Sequence, residues 1–211
     1  MSAPSPSASF ISVLVLAGGG SSRMGTDKAL LEVNGRPLLR QVYDVAVRCS
    51  PLVYVVTPWR DRYRAILPSD CRFIQETPAP AGEPPYGPLI GFWQGLAHVE
   101  TDWVLVLACD LPRLQPSQLQ HWATQVLSDN TEAIAHLPQG PKGWEPLCGF
   151  YHRHCRPSLE TYLAQGGRSF QGWLAQQPVQ ALRLEETDAA AMLFNCNTPA
   201  DLAQVRTSGY P

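Results

Sequence analysis

Residues 10–28 read FISVLVLAGGGSSRMGTDK, and this stretch decides the class of fold. The run at 10–16 is apolar and rich in β-branched side chains, the pattern of a strand buried on both faces. It breaks off at Gly18-Gly19-Gly20, where the backbone must leave the strand for a loop. The same alternation of buried strand and amphipathic helix recurs on either side of the next turns. Residues 37–49 carry apolar side chains at 38, 39, 42, 45 and 46, a helical spacing, with Pro37 suited to a first turn. Strands follow at 52–56 and 72–74. Residues 77–88 hold five prolines and two glycines, which excludes regular structure and marks a long loop of the functional kind.

A helix is predicted over 89–99, and the most apolar strand of the chain, WVLVLA, at 103–108. A helix at 116–127, strands at 133–137 and 146–151, helices at 157–164 and 169–176, a strand at 179–184 and a helix at 199–205 complete the reading. Continuous apolar strands separated by helices predict an α/β fold, its mostly parallel sheet covered on both faces. We read a disordered tail at 1–9 and one domain over 10–211. Ligands of such sheets bind beyond the carboxyl ends of the strands. That rule singles out the loops after Leu16 and after Ala108.

Composition narrows the partners. A net charge of −2, with Lys and Arg spread along the chain, argues against a nucleic-acid or membrane surface. The apolar run at 10–17 is too short to span a bilayer and lacks the basic start of a signal peptide. Six cysteines without a CxxC pair fit reduced thiols in the cytoplasm.

The glycine loop suits an anion. Glycines let backbone N–H groups approach phosphate closely, Arg23 can fork onto phosphate oxygens, and Lys28 adds a mobile positive charge. A P-loop would need Lys directly after Gly25, where Thr26 stands, and the dinucleotide fingerprint would need glycine at the position of Arg23. The bland alternative is a glycine turn flanked by solvated basic residues. Asp110 ends the second key strand and precedes Leu111-Pro112. A carboxylate there suits Mg2+, a cation that favours hard oxygen ligands, although Asp also serves as a plain cap or turn residue.

The string LAGGGSSRMGTDKALL at 16–31 resembles the signature of the molybdenum-cofactor guanylyltransferases and their relatives, in which LAGG, RMG and DK recur. The likeness continues through Gly87-Pro88-Leu89-Ile90-Gly91, Cys109-Asp110-Leu111-Pro112, Gly167-Arg168-Ser169 and NCNTPADL at 195–202. It implies a Rossmann-like three-layer α/β/α sandwich of the nucleotide-diphospho-sugar transferase type. It also implies transfer of GMP from GTP to the terminal phosphate of the molybdenum-pterin cofactor, with release of pyrophosphate. By the same resemblance Leu16, Ala17 and Gly18 contact the nucleotide through their backbone, Lys28 its phosphates, and Asp110 the Mg2+. Glu76 stands where family members usually carry Asp against the nucleotide. Thr57 stands where they carry Asn, and no role is transferred to it. Transient contact with cofactor-synthesis proteins or apo-molybdoenzymes is a further implication.

A phosphate nucleophile is already anionic at neutral pH, so the chemistry is alignment and charge neutralisation rather than base catalysis. Arg168, just before a predicted helix, is either an anion contact for the pterin end or a plain surface residue. Asn195 and Asn197 would share one face of a strand and assist metal or pterin; the alternative is capping of the helix beginning near Pro199, for which Asn197 or Thr198 is well placed. Cys148, His152, His154 and Cys155 match no usual zinc spacing. Two rivals stay open: a cytidylyltransferase of the same fold, and a non-catalytic delivery adaptor, which would tolerate loss of Lys28 or Asp110.

Overall fold

The structure, a computed structural model, describes residues 11–18, 27–80, 86–140, 143–183 and 191–207. The expected tail at 1–9 and the Arg23 assignment lie outside them. Its frame is one sheet in the order β10-β7-β9-β6-β1-β4-β5, with β8 paired to β7. The strands are β1 (Ser12–Leu16), β4 (Val53–Thr57), β5 (Arg72–Gln75), β6 (Trp103–Ala108), β7 (Ala135–Gly140), β8 (Gly143–Trp144), β9 (Cys148–His152) and β10 (Val179–Leu182). β1 is central, parallel to both β4 and β6. That position explains its unbroken apolar sequence, because all five of its residues are buried.

Side chains alternate across the sheet, and each face builds its own core. Val13 and Val15 of β1 join Leu105 and Leu107 of β6 on one side. There α1 (Leu38–Cys49) contributes Leu39, Val42 and Ala46, and α4 (Pro116–Ser128) contributes Leu119, Trp122 and Val126. Leu14, Leu16, Val104 and Val106 face the other way. They meet α3 (Pro88–Leu96), α5 (Arg156–Ala164) and α6 (Phe170–Leu174), where Phe92, Phe170 and Trp173 pack around Tyr151. Helices on both faces of a mostly parallel sheet make the three-layer sandwich that the strand pattern implied.

Two strands depart from the parallel rule, the short β8, antiparallel to β7, and β9. β9 runs antiparallel to both β6 and β7. Only residues 141–147 join β7 to β9, and a parallel return needs a crossover of roughly a dozen residues or more. The sequence reading also passed over a small hairpin, β2 (Glu32–Val33) with β3 (Arg36–Pro37). Its turn is Asn34-Gly35, both with positive φ (53° and 73°), which is the mirror-image turn that matches strand twist. The short helix α2 (Arg60–Tyr63) follows β4, and α7 (Pro199–Thr207) closes the described chain.

Candidate active site

Parallel register puts Leu16 of β1 beside Ala108 of β6, so the loops that follow begin side by side. The strand ends are stitched together. Cys109 N donates to Leu16 O at 3.3 Å, and Ala17 N to Val56 O at 2.9 Å. Thr57, fully buried at the end of β4, donates its hydroxyl to Ala17 O at 2.9 Å. Thr57 thus fixes the first residue of the glycine loop, a role its identity alone did not disclose.

Leu16, Ala17, Gly18, Lys28, Glu76 and Asp110 line one cavity at this rim, joined by Asp27, Tyr63, Tyr86 and Gly91. Lys28 opens a single 3-10 turn, Lys28–Leu30, whose N-cap is Asp27. Its Nζ lies 3.7 Å from Asp110 Oδ2 and donates to Asn197 Oδ1 at 2.6 Å. Lys28 and Asp110 are only 19% and 17% exposed. Burial raises the Asp110 pKa above the ordinary carboxylate value, and the Lys28 ammonium pulls it partly back. The Lys28 ammonium thus stands between the Asp110 carboxylate and the Asn197 amide oxygen.

The C-terminal segment reaches this rim through the backbone, for Cys196 N donates to Asp110 O at 2.9 Å. The expected strand around Cys196 is not formed. Residues 194–197 are irregular: Phe194 N donates to Ala191 O, Cys196 N to Asp110 O and Asn197 N to the Asp201 carboxylate, which is a set of scattered bonds rather than a ladder. The two asparagines therefore part company. Asn197 meets Lys28, whereas Asn195 Nδ2 turns to Leu193 O at 3.2 Å. Capping falls to their neighbours: Asp201 Oδ2 accepts from the backbone N–H groups of Asn197 and Thr198 (2.9 and 2.8 Å), and Asp201 N donates to Thr198 Oγ1 at 3.1 Å.

Glu76 leaves β5 at the opposite wall, 6% exposed, with its carboxylate wedged against Gly18 and Gly91. A Cβ at Gly18 would collide with Glu76 Oε2, so glycine there is required by close packing as well as by the loop. Burial raises the Glu76 pKa to about 7. The longer Glu in place of Asp is accommodated because the two glycines leave room for its extra methylene.

Arg168 is not brought to this cavity. Its guanidinium donates to Leu163 O and Gly167 O at 2.9 and 2.7 Å, closing the end of α5, and Ser169 caps α6. Arg168 thus stands beside the candidate cavity rather than in its lining. It lines a neighbouring groove that shares Tyr86 with the first cavity. Cys148 and Cys155 belong to cores on opposite faces of the sheet, which separates the members of the cysteine–histidine cluster. Among the described residues, no helix is long and apolar enough to cross a membrane.

Comparison with known proteins identifies the family. Residues 13–181 match the model of the MobA-like NTP transferase domain. A chain of Trichormus variabilis named as a probable molybdenum cofactor guanylyltransferase is 54% identical over 196 residues, covering 93% of this chain and 90% of that one. The molybdenum cofactor guanylyltransferase of Vibrio cholerae is 30% identical, covering 95% and 94%. In fold, the chain superimposes on molybdopterin-guanine dinucleotide biosynthesis protein A from Archaeoglobus fulgidus with a TM-score of 0.73 at 23% identity, over 93% and 97% of the two chains. With the matched residues running from β1 through β10 and the Lys28–Asp110 rim at their centre, the chain belongs to the MobA-like NTP transferase family, alongside the molybdenum cofactor guanylyltransferases.

Proposed function

We propose that the protein transfers GMP from GTP to the terminal phosphate of the molybdenum-pterin cofactor in the cytoplasm. An oxygen of the acceptor phosphate attacks the α-phosphorus of GTP, the bond to the β-phosphate oxygen breaks, and pyrophosphate leaves. The observation that carries this reading is the convergence of Lys28, Asp110 and Asn197 beside the Leu16–Gly18 turn, in a chain of this family. Lys28 neutralises phosphate charge, and the backbone of Ala17 and Gly18 borders the nucleotide opposite Glu76. Arg23, by its place in the glycine loop, is assigned to the same phosphates.

Asp110 and the amide oxygen of Asn197, both facing the Lys28 ammonium, are the hard oxygens that would hold Mg2+. When bound, Mg2+ supplies charge neutralisation on the phosphates. Arg168, across Tyr86, is the candidate contact for the far end of the acceptor, and delivery to apo-molybdoenzymes would follow release.

The test is mass spectrometry of the product formed by purified protein with GTP, MgCl2 and molybdenum-loaded pterin, run against CTP. A guanine dinucleotide product is expected. A preference for CTP would overturn the guanylyl assignment. Asp110→Ala should abolish pyrophosphate release, and near-normal release would remove Asp110 from the site.

A further inference from the structure

Asp27 is the acidic residue next to Lys28, yet its carboxylate is already occupied. Tyr63 Oη donates to both of its oxygens, at 3.1 and 2.8 Å. Arg62 adds a bond to Oδ2 at 2.9 Å, and Ala29 N one to Oδ1 at 3.1 Å. A carboxylate holding donors on both oxygens is fixed in place and can serve as an anchor. What it anchors is the turn that begins at Lys28.

Tyr63 is the rigid end of this connection. It is 1% exposed, and its ring packs in the same core as Val15, Ala17, Ala29, Leu107 and Ala108, residues that carry both active loops. The phenol is kept a neutral donor, since burial and the bond to Asp27 both raise its pKa. Arg62, by contrast, is half exposed and its ion pair is screened by water. A path therefore runs from the sheet core through the Tyr63 hydroxyl and Asp27 to the backbone of the Lys28–Leu30 turn, from which the Lys28 side chain reaches Asp110 and Asn197.

We propose that Tyr63 is a positioning residue for nucleotidyl transfer: its hydroxyl, acting through Asp27, holds Lys28 where the triphosphate binds. This rests on the proposed function. Tyr63 borders the same cavity, but its hydroxyl is turned to Asp27, so removing that hydroxyl loosens the turn that carries Lys28 while the Lys28 ammonium itself is retained.

The experiment is a double-mutant cycle on the full chain, with Tyr63→Phe made in the wild type and in Lys28→Ala, and GTP affinity measured by calorimetry. Amide exchange of residues 29–31 is followed without nucleotide. Tyr63→Phe keeps the ring and its packing, so the melting temperature reports any loss of fold. The expected result is faster exchange at 29–31, and a loss of GTP affinity of about tenfold in the wild type, the scale of one hydrogen bond to a charged group, that shrinks below about twofold when Lys28 is absent. Equal losses in both backgrounds, or unchanged exchange at 29–31, overturn the positioning role. A wild-type protein that neither binds nor turns over GTP overturns the functional reading, and this role with it.

Discussion

The Lys28 ammonium donates to Asn197 Oδ1 over 2.6 Å, although 169 positions of sequence separate the two residues. A lysine between an amide oxygen and the Asp110 carboxylate loses most of the rotamer freedom of its long side chain before substrate arrives. That prior ordering is what the C-terminal segment contributes to the site.

Asn197→Ala removes the neutral acceptor and leaves the ion pair. GTP affinity is expected to fall about tenfold, as for loss of one hydrogen bond to a charged group. The fold is expected to persist, so calorimetry should show a weaker Kd at unchanged stoichiometry. Unaltered affinity would separate Asn197 from the site.

Asp201 acts one step behind. Its carboxylate caps α7 and holds the backbone of Asn197, and those backbone bonds keep its own pKa below the ordinary value. Asp201→Ala is expected to cost about 1 kcal/mol, the usual value of a lost cap. In a chain of this size that lowers Tm by about 2–4 °C. Because the loosened segment carries Asn197, GTP affinity should fall in the same direction as in Asn197→Ala. Thermal melts and binding on one preparation check both.

Glu76 links stability to pH. Its pKa rises from 4.5 to about 7 on folding because burial disfavours the charged form. The native state therefore binds this proton more tightly than the unfolded chain does. The favourable contribution is complete below about pH 4.5 and is lost as pH rises through about 7. Glu76→Gln keeps the shape and removes the titration. Relative to the variant, the wild type should lose on the order of 3 kcal/mol between those two pH values, since each pKa unit is about 1.4 kcal/mol. Parallel denaturation curves at both ends would refute this account.

Gly95 in α3 sets two opposed effects against each other. Alanine would favour the helix by roughly 0.5–1 kcal/mol. Its Cβ would also stand 2.9 Å from Leu14 Cδ1 and 3.1 Å from Val56 Cγ2, side chains fully buried with no space to retreat. Overpacking of this kind costs about 1–3 kcal/mol, so Gly95→Ala should destabilise by about 1–2 kcal/mol net. Urea titration should show a lower midpoint at constant slope, and a higher midpoint would mean that α3 can lift from the sheet.

Local pattern was enough for the elements that lie along one continuous piece of chain. WVLVLA at 103–108 forms β6 with those bounds, and the spacing at 38, 39, 42 and 46 is the buried stripe of α1. Leu16, Gly18 and Asp110 were readable because they follow strands buried on both faces, whose ends must open on the same side of a parallel sheet. The reversed strand β9 was implicit in the short link before it, and the Asn34-Gly35 hairpin in its dipeptide. β9 stands out as a strand at 146–151 and only its direction does not, whereas the two-residue strands of the hairpin are too short for any apolar stripe.

Other relationships exist only once the chain is folded. Tyr63 lies in a four-residue helix with no periodicity to announce it, and Thr57 is one more residue in an apolar strand. Their partners, Asp27 and the Ala17 carbonyl, are 36 and 40 positions away. Arg168 and Asn195 belong here too: their motifs are visible in the sequence, but the bonds of their side chains to nearby carbonyls are not. Burial and periodicity are written locally, because each residue samples its own neighbours in sequence. Which donor finds which acceptor is set by the sheet order that brings β1, β4 and β6 to one rim, and short-range hydrogen bonds then choose among the side chains gathered there.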